Sequence, residues 1–364
     1  MQLVHTTLNT DLSDIQEKVI DGYRLEYEDG VKLFESPDIL AIGYLANLIR
    51  ERKNNNKTYY IINRHINYTN ICKNRCKFCA FSRDNGEDGA YQMSIKEILD
   101  NASQIIHEKA TELHIVGGLH PELGLDYYVE MISSIHERFP DVHLQAFTAV
   151  EIAHFAEISG ISIRETLKEL KKAGLGSLPG GGAEIFSPNI RKELCPEKLS
   201  GEEWLNTMRE AHSSGLRSNA TMLYGHIEKN EERVNHLLKL RELQDETNGF
   251  MSFIPLAFHP KNTDLKDFSN TAGILDLKML AIGRLMLDNF DHIKAFWIML
   301  GIKLAQVSLS FGVDDIDGTV AEEKITHSAG AQTPEALTVG EIKSLIEETG
   351  REPVERDTLY NRIR

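Results

Sequence analysis

Apolar residues recur along this chain with two alternating periods. Short apolar runs at 59–68, 112–116, 143–148, 176–178, 218–223, 249–256, 292–299 and 306–310 have the length and spacing of buried strands. Stretches with helical periodicity separate most of them, at 94–109, 125–139, 162–172, 201–214 and 230–248. Strand alternating with helix predicts parallel βα units, and about eight such units make a (β/α)8 barrel. An open doubly wound sheet is the competing arrangement. The barrel is favoured because the polar, glycine-rich segments follow the strands. They then gather at the C-terminal mouth, where barrels keep their chemistry.

The ends of the chain follow a different pattern. Residues 1–56 read as a helical extension. Asp11, Ser13 and Asp14 precede one apolar-periodic stretch, Ser36-Pro37-Asp38 opens another, and Asn54-Asn55-Asn56 closes the segment. The barrel is expected over 57–319. A turn at 314–318 then leads into 320–364, read as a helical tail packed on the barrel.

Length and composition narrow the function. A chain of 364 residues suits one large barrel or two ordinary domains. A net charge of −15 argues against a nucleic-acid partner or an anionic membrane surface. It also means that an anionic substrate needs local cations. No apolar run reaches the length of a membrane span. Residues 1–7 lack the charged and apolar regions of a secretion signal. With only four cysteines, these features lead us to expect a cytoplasmic location.

Three of those cysteines, Cys72, Cys76 and Cys79, fall in a Cys-x3-Cys-x2-Cys spacing just after the first apolar run. Three thiolates on one loop suit three irons of a cubane 4Fe–4S cluster, leaving the fourth iron open to another ligand. Zinc is the alternative, and it wants four tetrahedral ligands, for which His65 is the nearest candidate. Cys195 is far away in sequence and reads as an ordinary thiol.

The other strand ends carry further candidates. Gly117-Gly118 permits close approach of backbone to a ligand. Thr148 and Glu151 end the third run, as site residues or as a helix cap. Pro179-Gly180-Gly181-Gly182 leads to Glu184, a carboxylate suited to both hydroxyls of a ribose. The fifth run brings Asn219, Tyr224 and His226, and the sixth brings His259. Trp297 and the acidic group Asp314, Asp315 and Asp317 follow. Arg284 and Asp288, four apart on a helix, read as a surface ion pair.

The cysteine spacing, with Phe78 before its last member, resembles the signature of the radical S-adenosylmethionine enzymes. The segments HINYTNICKNRCKFCAFSR, LHIVGGLHPELGLDYY, SLPGGGAEIF, NATMLYGHIE, FIPLAFHP and IKAFWIMLGIKLAQVSLSFGVDDIDGT resemble one family among them, the aminodeoxyfutalosine synthases of menaquinone biosynthesis. That resemblance covers nearly the whole chain. It implies a barrel of the radical S-adenosylmethionine class, with Cys72, Cys76 and Cys79 on the cluster and S-adenosylmethionine as co-substrate. It implies Phe78, Gly117, Gly118, Glu184 and Gly225 around that co-substrate, although Leu119 stands where the wider class often has glutamate. The implied reaction adds the 5′-deoxyadenosyl radical to 3-[(1-carboxyvinyl)oxy]benzoate, with rearrangement and loss of a carboxyl group. An electron donor such as flavodoxin or ferredoxin is implied as partner. For the substrate's two carboxylates, His65, His120, His226, His259 and Lys261 are candidates, with His226 and His259 preferred as catalytic residues. A cyclic dehypoxanthine futalosine synthase, or a non-catalytic iron–sulfur protein, are the alternative readings.

Overall fold

The computed structural model describes residues 11–363; residues 1–7, expected to lack a secretion signal, lie outside the described residues. The strands are Lys57–Ile61 (β1), Asn63–Ile66 (β2), Glu112–Ile115 (β3), His143–Ala146 (β4), Ser177–Leu178 (β5), Arg217–Tyr224 (β6), Phe250–Ala257 (β7), His292–Ile293 (β8), Asp315–Gly318 (β9) and Glu352–Glu355 (β10). β2 through β8 pair in chain order, every pair parallel. Parallel neighbours need crossovers, and helices supply them on the outer face.

The last stave of the barrel is not the run at 306–310. That stretch is helical, within Ile302–Ser308 and the turn after it. The gap between β8 and β2 is filled instead by β9 and its continuation. Lys294 bridges to Asp315 and Arg64 to Ala321, both parallel. Ala295 N–H donates to Asp315 O and His65 N–H to Ala321 O, each at 2.8 Å. The eighth stave is therefore the acidic segment read from sequence as a turn.

A second sheet has the order β10-β1-β9 and is parallel throughout. Residues 320–364 thus carry not only the helices Ile325–Ser328 and Val339–Glu347 but also a strand. The run at 59–68 divides in the same way, with β1 in the small sheet and β2 in the barrel.

Helix starts are encoded locally. Ser94–Glu97, Thr148–Glu151, Ser162–Glu165, Ser200–Glu203 and Thr338–Glu341 all form reciprocal capping boxes. The N-terminal helix Ile39–Asn54 packs against Gly273–Met286. The neighbouring helix Tyr27–Glu35 approaches so closely that a Cβ on Gly30 would lie 2.9 Å from Val234. Arg284 is buried, not on the surface. It pairs with Asp314, while Asp288 pairs with Arg24. Among the described residues, no helix is long and apolar enough to cross a membrane.

Candidate active site

The loop after β2 carries the three cysteines and is fastened on two sides. Gly118 N–H donates to Thr69 O and Lys73 N–H to Leu119 O, tying the loop to the turn after β3. Lys77 N–H donates to Leu194 O and Arg75 N–H to Glu197 Oε2, tying it to the end of the helix Pro188–Leu194. Gly118 has no room for a side chain, since a Cβ there would sit 2.2 Å from Ile71 O. These hydrogen bonds hold the main chain of the loop against both neighbouring segments.

Cys72, Cys76 and Cys79 are partly exposed and line one cavity of about 330 Å³, within the range for small-molecule sites. Among the described residues, no three His, Cys, Asp or Glu side chains converge on a single-ion site. A cubane asks for something else, one thiolate per iron around a larger core, and three thiols on one loop match that demand. Burial pushes the Cys72 thiol up, so its thiolate form needs a cationic partner. Cys195 is less ordinary than its position suggested. It is 3% exposed, and its thiol lies beside that of Cys76.

Glu151 joins the loop to the neighbouring strand ends. Its Oε1 accepts from Tyr68 Oη at 2.7 Å and from Gly117 N–H at 3.0 Å, while Oε2 caps the helix through Thr148. Both sequence readings of Thr148 and Glu151 thus describe the same pair, a cap that also lines the cavity.

On the opposite wall, Glu184 sits at φ +48°, a left-handed conformation rare outside glycine, asparagine and aspartate. The glycines before it allow the turn, and Gly180 is pressed against the backbone of Asn219 and Ala220. The Glu184 carboxylate lines the cavity and pairs with Lys198 Nζ at 2.5 Å. Lys198 also lies 5.3 Å from the centre of the Phe78 ring. Sequence reasoning missed Lys198, which falls in an irregular stretch with no period or motif.

The structure brings together Cys72, Cys76, Cys79, Phe78, Gly117, Gly118, Glu184 and His259 on the wall of one cavity. His259 Nε2 lies 2.9 Å from Met299 O. Gly225 and His226 are not among the lining residues. The His226 side chain is fully buried, with Nδ1 2.9 Å from Glu228 Oε2 and Nε2 3.1 Å from Leu223 O. Glu228, two residues on, draws the imidazole away from the mouth. Gly225 N–H is likewise bound to Glu228, and a Cβ there would meet Thr271 at 2.2 Å. Its glycine therefore answers to packing against Thr271. His120 and Lys261 also lie off the lining, and Tyr224 Oη donates to Asp276. His65, Asn219 and Asp317 line the cavity; Trp297, Asp314 and Asp315 serve the frame, paired with Gly318 O, Arg284 and Arg356. The C-terminal segment contributes Glu323 and Thr326 to the wall.

Comparison with known proteins places this geometry. The profile of the Radical SAM superfamily matches residues 66–240, and that of the CofH/MqnC C-terminal region matches residues 247–364. The aminodeoxyfutalosine synthase of Thermus thermophilus is 48% identical, covering 97% of this chain and 96% of that protein. The aminodeoxyfutalosine synthase of Streptomyces coelicolor is 45% identical, covering 96% and 94%. A 5-amino-6-(D-ribitylamino)uracil–L-tyrosine 4-hydroxyphenyl transferase of Methanosarcina acetivorans is 40% identical, covering 96% and 94%. Among solved structures, methylornithine synthase superposes with a TM-score of 0.75 over 93% of this chain and 96% of that one. At 20% identity that likeness speaks to the fold alone. The chain belongs to the radical SAM superfamily and, within it, to the family of the aminodeoxyfutalosine synthases.

Proposed function

We propose that this protein is a transferase that joins the adenosyl group of S-adenosylmethionine to 3-[(1-carboxyvinyl)oxy]benzoate, with loss of one carboxyl group, to give 6-amino-6-deoxyfutalosine for menaquinone biosynthesis. The observation that carries this reading is 48% identity to an aminodeoxyfutalosine synthase across nearly the full length of both chains. Membership of the superfamily brings a 4Fe–4S cluster and S-adenosylmethionine. When bound, these supply the electron and the adenosyl radical; a flavodoxin or ferredoxin is the donor we expect.

The chain's own residues hold and shield the reactants. Cys72, Cys76 and Cys79 are positioned to ligate the cluster. Gly117 and Gly118 line the cavity beside the cysteine loop with their N–H groups engaged by Glu151 and Thr69, so it is the Gly117 carbonyl that would meet the methionine end of the co-substrate. Glu184 offers carboxylate oxygens to the ribose hydroxyls, and Lys198 holds that carboxylate in place. Leu223, Ile254, Leu256 and Phe258 line the cavity with apolar surface that limits water around the reacting carbons.

Glu184→Gln is expected to weaken S-adenosylmethionine binding about 10- to 100-fold, the worth of a charge-assisted hydrogen bond or two. Equilibrium dialysis on the cluster-loaded protein, with iron content as control, reads this directly. Unchanged affinity removes Glu184 from the ribose.

The 40% identity to a tyrosine-dependent transferase favours a second reading, in which an aryl amino acid occupies the same cavity. Mass spectrometry of anaerobic reactions separates the two. The reduced, cluster-loaded protein receives S-adenosylmethionine with either the enolpyruvyl benzoate, or L-tyrosine and 5-amino-6-(D-ribitylamino)uracil. An adenosyl adduct lacking one carboxyl group is expected from the first mixture. Hydroxyphenyl transfer in the second alone would replace our reading.

A further inference from the structure

Barrel interiors are usually packed with branched apolar side chains. Below the cysteine loop, this barrel instead has a polar layer. His65 on β2, His114 on β3, Gln145 on β4, Asn219 on β6 and Lys294 just after β8 all line the cavity. They form a connected set. His65 stacks on His114 with centroids 4.4 Å apart and planes 11° apart. His114 Nδ1 lies 3.2 Å from Gln145 Oε1, which also accepts from Asn219 Nδ2 at 3.4 Å. Burial pushes both histidines down, His65 well down, so the pair is neutral at physiological pH.

Lys294 is then the cation of this layer. Its side chain is 8% exposed and has one hydrogen bond, from Nζ to Asp317 Oδ1 at 3.3 Å. That is long for an ammonium–carboxylate pair, which closes to about 2.7–2.9 Å. An ammonium carries three donors, so Lys294 reaches the cavity with donors to spare. The other lysine on the wall, Lys198, is engaged by Glu184 near the cysteine loop. Arg356, behind the layer, is engaged by Asp315 at 2.6 Å. Arg356 Nη2 is also without a partner, but Arg356 lies off the lining, so among the described residues a carboxylate entering the depth of this cavity meets the incompletely paired Lys294. Asp317 and Glu112 face the same space and share the Lys294 charge, so they repel any incoming anion and a carboxylate there depends on Lys294.

We infer that Lys294 binds the ring carboxylate of the substrate and so sets the choice of a benzoate. This rests on the substrate class proposed above. The vinyl group must lie beside the adenosyl carbon near the cysteine loop, which turns the opposite end of the molecule toward the polar layer. Gln145 and Asn219 offer amide hydrogen bonds around the same end. The assignment also accounts for an acidic protein taking a dianion, since one buried charge, not the surface field, does the selecting.

The test compares two ligands on cluster-loaded protein without reductant, so that binding is read without turnover. One ligand is 3-[(1-carboxyvinyl)oxy]benzoate and the other is 2-phenoxyacrylate, which lacks the ring carboxylate. Wild type should bind the benzoate about 10- to 100-fold more tightly. Lys294→Met should erase that preference while leaving phenoxyacrylate affinity, iron content and S-adenosylmethionine binding as they were. Lys294→Arg should restore most of it, and Lys294→Gln substitutes if the Met variant fails to fold. A preference that survives in the folded neutral variant overturns the inference. An equal loss for both ligands also overturns it, by moving Lys294 to the enolpyruvyl carboxylate. Wild type that binds neither ligand overturns the substrate reading itself, a result separate from either of these.

Discussion

Cys76→Ala is expected to leave a folded barrel that holds far less than the about four irons of a cubane and has no detectable turnover. The loop does not depend on the thiol for its shape. Lys73 and Lys77 hold it to Leu119 and Leu194 through backbone bonds, and the Cys76 carbonyl accepts from Cys79 N–H at 3.0 Å. Only the ligand is removed. Two thiolates retain a cubane poorly, and without it the cofactor chemistry has no electron. Iron and sulfide analysis with the visible spectrum reads the outcome. Cys195 adds a complication that the sequence did not suggest, because its thiol touches Cys76. Cys76→Ala combined with Cys195→Ala closes that route to a replacement ligand. Full iron content with retained activity in the double variant would sink the cluster assignment.

Asp314→Ala is expected to destabilise the fold by about 3–5 kcal/mol, the cost of breaking a buried ion pair from one side. Arg284 and Asp314 are both fully buried and are hydrogen-bonded to each other. Asp314 also accepts from Ile293 N–H at 2.8 Å and lies 2.6 Å from His292 Nδ1. Its loss leaves a guanidinium charge without a partner inside the protein. The three carbonyls around Arg284, at Gly312, Phe290 and Asp291, offset only part of that. Burial alone would raise the Asp314 carboxyl, but His292 and Arg284 outweigh it and hold it below its usual value. The pair's contribution is therefore complete above the unfolded value of about pH 4 and is lost as pH falls through the depressed folded value. Urea unfolding across pH should show a lower midpoint at neutral pH in the variant and a flatter acid limb. An unchanged midpoint at pH 7 would refute the argument.

What the sequence revealed followed from how local each signal was. The cysteine spacing lies within eight residues, and the strand–helix alternation is set by periodicity, so both were legible. The closing stave was not. Asp-Ile-Asp-Gly is a poor strand sequence, and only the open edges of β8 and β2, with β1, provide the hydrogen bonds that make it one. Tertiary pairing overrode propensity there. At 306–310 the opposite error arose, because Val307 and Leu309 alternate with polar neighbours as in a strand, although the segment belongs to the helix Ile302–Ser308 and the turn after it. His226 was misplaced because its position along the strand says nothing about Glu228 capturing it. Lys294 was overlooked inside an apolar run. One signal does point to it and to its layer. In strands buried on both faces, polar residues two apart, as in Asn63/His65, Glu112/His114 and His143/Gln145, mark an interior that is not a packed core.

The small sheet sets the order of events during synthesis. β1 leaves the ribosome early, yet Lys57 pairs with Glu352 on β10, and Tyr59 with Asp315 on β9. Roughly 300 further residues must be polymerised before those partners exist, about 15 s to a minute at about 5–20 residues per second. Throughout that time β1 presents unpaired backbone on both edges, a template for misassociation. The small sheet therefore cannot form until the C-terminal strands have been made, whatever the rest of the chain has done by then.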